Sequence, residues 1–189
     1  YGGFQAFAWG ITFPGFVELA AGAKPWQHLI DVNHSLFATP GDMPGRIAAY
    51  CRATGQAAPA DRAATLRCVI ESLACVFRQS LGELEKHAGQ NFDRLWLVGG
   101  GARNRLLCEI SASLTGRPVT TGPAETTALG NIASQLKALG IFPSTEAARA
   151  AIADSFGTRD YAPGHDPQAE NAYLTWQEIV AKAPAAIAG

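Results

Sequence analysis

The sequence of 189 residues predicts an α/β fold in which helices pack on a small sheet. Two observations carry that expectation. Helical apolar spacing runs through most of the chain, and two short runs of strand-forming residues, 95–98 and 118–121, interrupt it. Helices alternating with short strands are the pattern of a layered α/β domain. The composition, 48% hydrophobic and 16% charged, suits one well-cored domain of ordinary size.

The first 13 residues, aromatic and glycine-rich, show no period and start without a methionine, so the chain reads as a fragment. Residues 16–21 are expected to form a short helix. In the irregular stretch 24–39, Trp26, Leu29, Ile30, Leu36 and Phe37 should pack onto the body. Asp42 followed by Pro44 has the form of an N-cap with proline in the first turn, and Gly55 closes that helix. Asp61 caps the longest helix, which ends at Gly89 and repeats Leu66, Val69, Ile70, Leu73, Val76, Phe77, Leu81 and Leu84 at intervals of three and four; it should lie buried against a sheet.

Residues 95–98 then reach Gly99-Gly100-Gly101, and Leu106, Leu107, Ile110 and Leu114 recur with helical spacing up to a stop at Gly116. Strand, glycine turn and helix make a place where a flat or charged ligand can approach the main chain, with the N-terminal dipole of the helix aimed at it. A nucleotide is one candidate and a tight turn with no ligand is the other. The pattern is neither a Walker motif nor a full Gly-x-Gly-x-x-Gly, because Asn104 stands where the last glycine would be.

Pro123 should open a further helix with Leu129, Ile132, Leu136 and Leu139, in which Gly130 implies a close neighbour. Ser144 caps another, with Ala148, Ile152 and Phe156 inward, and the tail carries Tyr173, Trp176, Ile179 and Val180 on one stripe.

A net charge of −1 leaves no basic field for nucleic acid or an anionic membrane, so neither is expected as a partner. No run approaches the roughly 20 apolar residues that span a bilayer, no signal-peptide plan opens the chain, and the cytoplasm is the expected location. Cys51, Cys68, Cys75 and Cys108 lack zinc spacing, and buried thiols are their simplest reading. The acidic residues Asp31, Asp42, Asp61, Glu71, Glu83, Glu85 and Asp93 are expected on helix starts or solvated faces, and the four histidines lack partners at useful spacing.

Three blocks stand in order: Val98-Gly-Gly-Gly-Ala-Arg-Asn-Arg-Leu-Leu, then Gly116-Arg-Pro-Val, then Glu125-Thr-Thr-Ala-Leu-Gly. Together they resemble the C-terminal domain of the FGGY carbohydrate kinases, over roughly residues 16–165, with 1–15 matching poorly and 166–189 left as a helical tail. The resemblance implies a ribonuclease-H-like fold of the actin and heat-shock ATPase type, here a partial domain. It also implies transfer of the γ-phosphoryl of ATP, with Mg2+, to a sugar hydroxyl in a cleft between two domains.

Gly100 matches the family glycine that lies against adenine, with Gly99 and Gly101 shaping the turn. Asn104 matches an asparagine that either caps the helix or reaches the base. Glu125, Thr126 and Thr127 match the start of the next helix, where capping and packing are the simpler roles. The catalytic aspartate and most sugar-binding residues of the family precede the matching region, so this portion is expected to be inactive alone and no residue in it is assigned as the base. The resemblance further implies a disulfide between Cys51 and Cys68, against which stands a reducing cytosol; both alternatives stay open. Three functions remain: the ATP-side part of a sugar kinase, a non-catalytic nucleotide-binding module of the same fold, and a helical packing domain whose turn binds nothing.

Overall fold

Side-chain caps lay out the helices of this computed structural model, which describes residues 13–185 and 187. The stretch 1–12 lies outside them. Helix α1 spans Phe13–Ala21, α2 Met43–Ala53 and α3 Arg62–Ala88. Asp42 accepts the Gly45 N–H at 3.1 Å and Asp61 accepts the Ala64 N–H at 2.8 Å, so α2 and α3 begin where their caps predict. Gly89 ends α3 in the left-handed conformation.

Strand β1, Leu95–Leu97, leads into a 3-10 turn at Gly99–Arg103 and then α4, Arg105–Thr115. After β2, Val119–Thr121, come α5, Thr126–Ala138, and α6, Thr145–Phe156, capped by Ser144 through the Ala147 N–H at 3.1 Å. Strand β3, Arg159–Tyr161, and α7, Ala169–Lys182, complete the order. The sheet runs β1-β2-β3: β1 and β2 are parallel with Leu95 opposite Val119, and β3 is antiparallel to β2 with Tyr161 opposite Val119.

One face of the sheet rests on α4, where Cys108 and Ala112 meet Val119, Leu95, Leu97 and Tyr161. The larger core lies beyond it, among α1, α2, α3, α4, α7 and the irregular stretch before α2. Tyr173, Trp176 and Ile179 of the tail helix are buried in that core. Helix α3 packs chiefly on α1 and α4 rather than on the sheet it was expected to meet.

The irregular stretch is buried at Leu29 and Ile30, where its main-chain polar groups need partners, and side chains supply them. Gln56 brackets Leu29, accepting its N–H at 2.9 Å and donating to its carbonyl at 2.8 Å. Ser72 accepts the Ile30 N–H at 2.9 Å, and the Trp176 indole donates to the Ile30 carbonyl at 2.9 Å. Glu71 accepts the Trp26 N–H at 2.8 Å and Arg67 Nε at 2.6 Å, while Arg67 also donates to the carbonyls of Ala20 and Ala21 at the end of α1.

Several expectations are corrected here. Glu71 is fully buried rather than on a solvated face. Helix α5 starts at Thr126, three residues after Pro123, and none of its residues is buried. A Cβ at Gly130 would meet nothing within 4 Å, so no neighbour packs closely there, and Phe156 is 58% exposed. The sheet has a third strand whose residues, Arg-Asp-Tyr, carry no apolar alternation.

Burial raises the Glu71 carboxyl from 4.5 to about 7, against the opposing pull of the Arg67 guanidinium and the Trp26 N–H. A carboxyl that binds its proton more tightly in the folded state contributes stability that is complete below the unfolded value and is lost as the pH rises through the folded one. Urea unfolding is therefore expected to show stability falling between about pH 4.5 and about pH 7, by at most ~3 kcal/mol. Glu71→Gln should flatten that slope, and an unchanged slope in the variant would show that another group sets it.

Candidate functional site

Strand β1 delivers the chain to the glycine turn in extended conformation at Val98, φ −127° and ψ 166°. Gly99 then adopts φ +75°, which a side chain would strain. Two main-chain bonds fasten this corner to the loop after β2: Gly99 N–H donates to the Pro123 carbonyl at 3.3 Å, and Gly122 N–H donates to the Leu97 carbonyl at 3.0 Å. The approach is tight, since a Cβ on Gly122 would sit 3.0 Å from Val98 Cγ1.

The three glycines differ in surroundings. A Cβ on Gly101 would come 3.9 Å from the side chains of Leu97 and Leu107, and Gly101 is half-buried. One on Gly100 would meet nothing within 4 Å, and Gly100 is exposed. Gly100 is thus the position where the absent side chain leaves room on the outer side of the corner. Asn104 accepts the Leu107 N–H at 3.1 Å and gives its own N–H to the Gly101 carbonyl at 3.0 Å. Of the two roles left open for it, the structure shows capping.

Gly99, Gly100, Gly101 and Asn104 therefore form one continuous turn at the N-terminus of α4, as their spacing suggested. Sequence reasoning did not place Gly122 and Pro123 at the site, Pro123 being read only as a helix start; they form the opposing wall, and the Gly-Pro pair directly after a strand was the local signal. Glu125 takes the N-cap position of α5 without a side-chain cap bond, and Thr126 donates to the Pro123 carbonyl at 2.5 Å. Arg103 faces Glu125 at 3.9 Å, with both side chains more than 60% exposed, so the pair holds little. Arg105 pairs with Glu109 at 2.9 Å along α4. A large groove of about 890 Å³ lies beside this region, between β1, α5 and α6, but none of the three glycines lines it.

All four cysteines are buried thiols. Burial pushes Cys75 up to about 12 and Cys108 up to about 11, which makes both unreactive. The neighbouring Cys51 and Cys68 thiols influence each other: Cys68 holds Cys51 below the usual thiol range, while Cys51 and burial push Cys68 well above it. Among the described residues no three His, Cys, Asp or Glu side chains form a metal cluster, and no helix is long and apolar enough to cross a membrane.

The chain is 35% identical over 91% of its length to a rhamnulokinase of Bacteroides thetaiotaomicron and 38% identical over 79% to one of Halalkalibacterium halodurans. It spans about a third of the length of each, 36% and 32%. Among solved structures, the xylulose kinase of Rhodospirillum rubrum superposes with a TM-score of 0.59 at 18% identity, covering 95% of this chain and 35% of that one, which shows the shared ribonuclease-H-like fold. Residues 15–139 match the FGGY family of carbohydrate kinases, C-terminal domain, and the chain belongs to that family.

Proposed function

We propose that this chain is the ATP-binding portion of a kinase that transfers the γ-phosphoryl group to a sugar hydroxyl, with L-rhamnulose as substrate and L-rhamnulose 1-phosphate as product, in the cytoplasm. The sugar rests on the names of the relatives. The nucleotide reading rests on one observation, the open space outside Gly100 in a corner fastened on both sides. In it the adenine ring lies against Gly100, Gly99 and Gly101 hold the bend, and Asn104 fixes the start of α4. ATP supplies the phosphoryl group, and Mg2+ is held by its phosphates and by residues outside this chain, since no carboxylate cluster stands at the turn.

Four of the seven aspartates of the chain are held in structural contacts, which supports a base located elsewhere. Asp42 and Asp61 are committed to helix caps, Asp166 accepts the Trp26 indole N–H at 2.8 Å, and Asp160 accepts the Thr120 hydroxyl at 2.6 Å. The chain alone is accordingly inactive.

Calorimetric titration of the chain with ATP tests the site. Gly100→Trp is expected to weaken binding at least about tenfold, because the added ring takes the place of the base, and an unchanged Kd contradicts the assignment. Asn104→Ala should cost about 1 kcal/mol of stability through the lost cap while leaving the glycine corner in place. A variant as stable as the parent would show that the cap bond contributes nothing. We also propose that Cys51 and Cys68 close into a disulfide when an oxidant such as oxidised glutathione takes up their two electrons. Non-reducing peptide mapping should then recover one cross-linked pair, and two free-thiol peptides would refute it.

A further inference from the structure

The loop that follows β2 is fastened to the glycine corner by two main-chain bonds of unequal strength. Gly122 N–H donates to the Leu97 carbonyl at 3.0 Å, and Gly99 N–H donates to the Pro123 carbonyl at 3.3 Å. Since N–H···O bonds ordinarily run from about 2.7 to 3.2 Å, the bond that fixes Gly99 has no slack. Its acceptor is aimed from the other side, because the Thr126 hydroxyl at the start of α5 donates to the same Pro123 carbonyl.

Glycine is needed at position 122 for space and not for backbone freedom. Gly99 has φ +75°, whereas Gly122 is not among the glycines with positive φ, so an alanine there would keep the backbone conformation. Its Cβ, however, would lie 3.0 Å from Val98 Cγ1. Two carbons rest at about 3.5–4.0 Å, so one of the two walls has to move by about half an ångström. Val98 resists, because a β-branched side chain is stiff at χ1 and its extended main chain is held between the bonded Leu97 and Gly99. The loop gives way instead, and the long Gly99 bond opens first.

We infer that Gly122 is a positioning residue for the nucleotide: by carrying no side chain it lets the loop after β2 close against Val98, which holds Gly99 in its bend and so sets where Gly100 meets the base. Gly122 acts through Gly99 and touches no ligand itself. The inference rests on the nucleotide reading of the corner, but the closure it describes is measurable without ATP.

The test compares Gly122→Ala, Val98→Ala and the double variant with the parent chain, by amide hydrogen exchange at Gly99 and by calorimetric titration with ATP. Gly122→Ala should speed Gly99 exchange by at least about fivefold and weaken ATP binding by about three- to tenfold. Val98→Ala removes Cγ1 from a side chain that is 47% exposed, and it should change neither readout by itself. The double variant should return both to within about twofold of the parent, whereas two independent losses of packing would add. A Gly122→Ala chain that fails to fold beside a double variant that folds and binds gives the same support.

Unchanged exchange and affinity in Gly122→Ala, the result of the Val98 side chain turning aside into its groove, overturn the inference. So does a double variant no better than Gly122→Ala, folded or not. The two readings fail separately. A parent that binds no ATP while Gly99 exchange follows the expected pattern removes the nucleotide and leaves Gly122 as the residue that closes the corner; ATP binding weakened by Gly100→Trp but not by Gly122→Ala removes the positioning role and leaves the nucleotide site.

Discussion

The structure depends on how a buried, irregular stretch of main chain is satisfied. Residues 26–30 belong to no helix or sheet and enter the core at Leu29 and Ile30, where an unpaired peptide group would cost about 1–3 kcal/mol. Glu71, Ser72, Gln56 and Trp176 meet that demand from three different parts of the chain, holding Trp26, Leu29 and Ile30 at 2.8–2.9 Å. Because the partners are distant in sequence, the same bonds tie α3, the loop after α2, and α7 into one body. Arg67 extends the arrangement to the last carbonyls of α1. Burying a side chain such as Trp176, 2% exposed, adds about 2–3 kcal/mol of apolar stabilisation, but the indole N–H is acceptable there only because Ile30 takes it.

This body determines where the glycine corner sits. Helix α4 has seven buried residues, so it is held along its whole length against α3 on one side and the sheet on the other. Its N-terminus, with the free N–H groups and positive dipole end, is therefore fixed in place before any ligand arrives. The corner hangs between that terminus and β1, and its bonds to Leu97 and Pro123 close it from the other side. Stability comes from the helical body, and Gly100, exposed on the rim of the sheet with nothing within 4 Å of an added Cβ, contributes little to it.

Where local chemistry decides structure, the sequence was legible. Asp42, Asp61, Ser144, Gly89 and Gly116 mark their helix ends because a cap needs only residues within one turn. Asn104 could be placed at the head of α4, but choosing between cap and ligand contact required the 3.1 Å bond to Leu107. Glu71 could not be found, since a carboxylate in a long helix looks solvated until the partners from residues 26 and 67 are known. Strand β3 was missed because Thr120 and Asp160, with Arg94, make a polar contact across it in place of an apolar face.

The misplaced residues share one physical cause. The apolar spacing of α5 and α6 predicted burial of Leu129, Ile132, Leu136, Leu139, Ile152 and Phe156, yet α5 has no buried residue and α6 buries only Ala148. Helical periodicity reports that a face is meant to be covered and says nothing about what covers it. Of these residues Leu129 and Ile152 line one groove together with Trp96 and Val98. The open space at Gly130 belongs to that groove as well, so the glycine that implied a close neighbour faces a hollow instead. Exposed apolar residues scattered singly need no explanation, and the periodicity of α5 and α6 is fulfilled among the described residues only at Ala148.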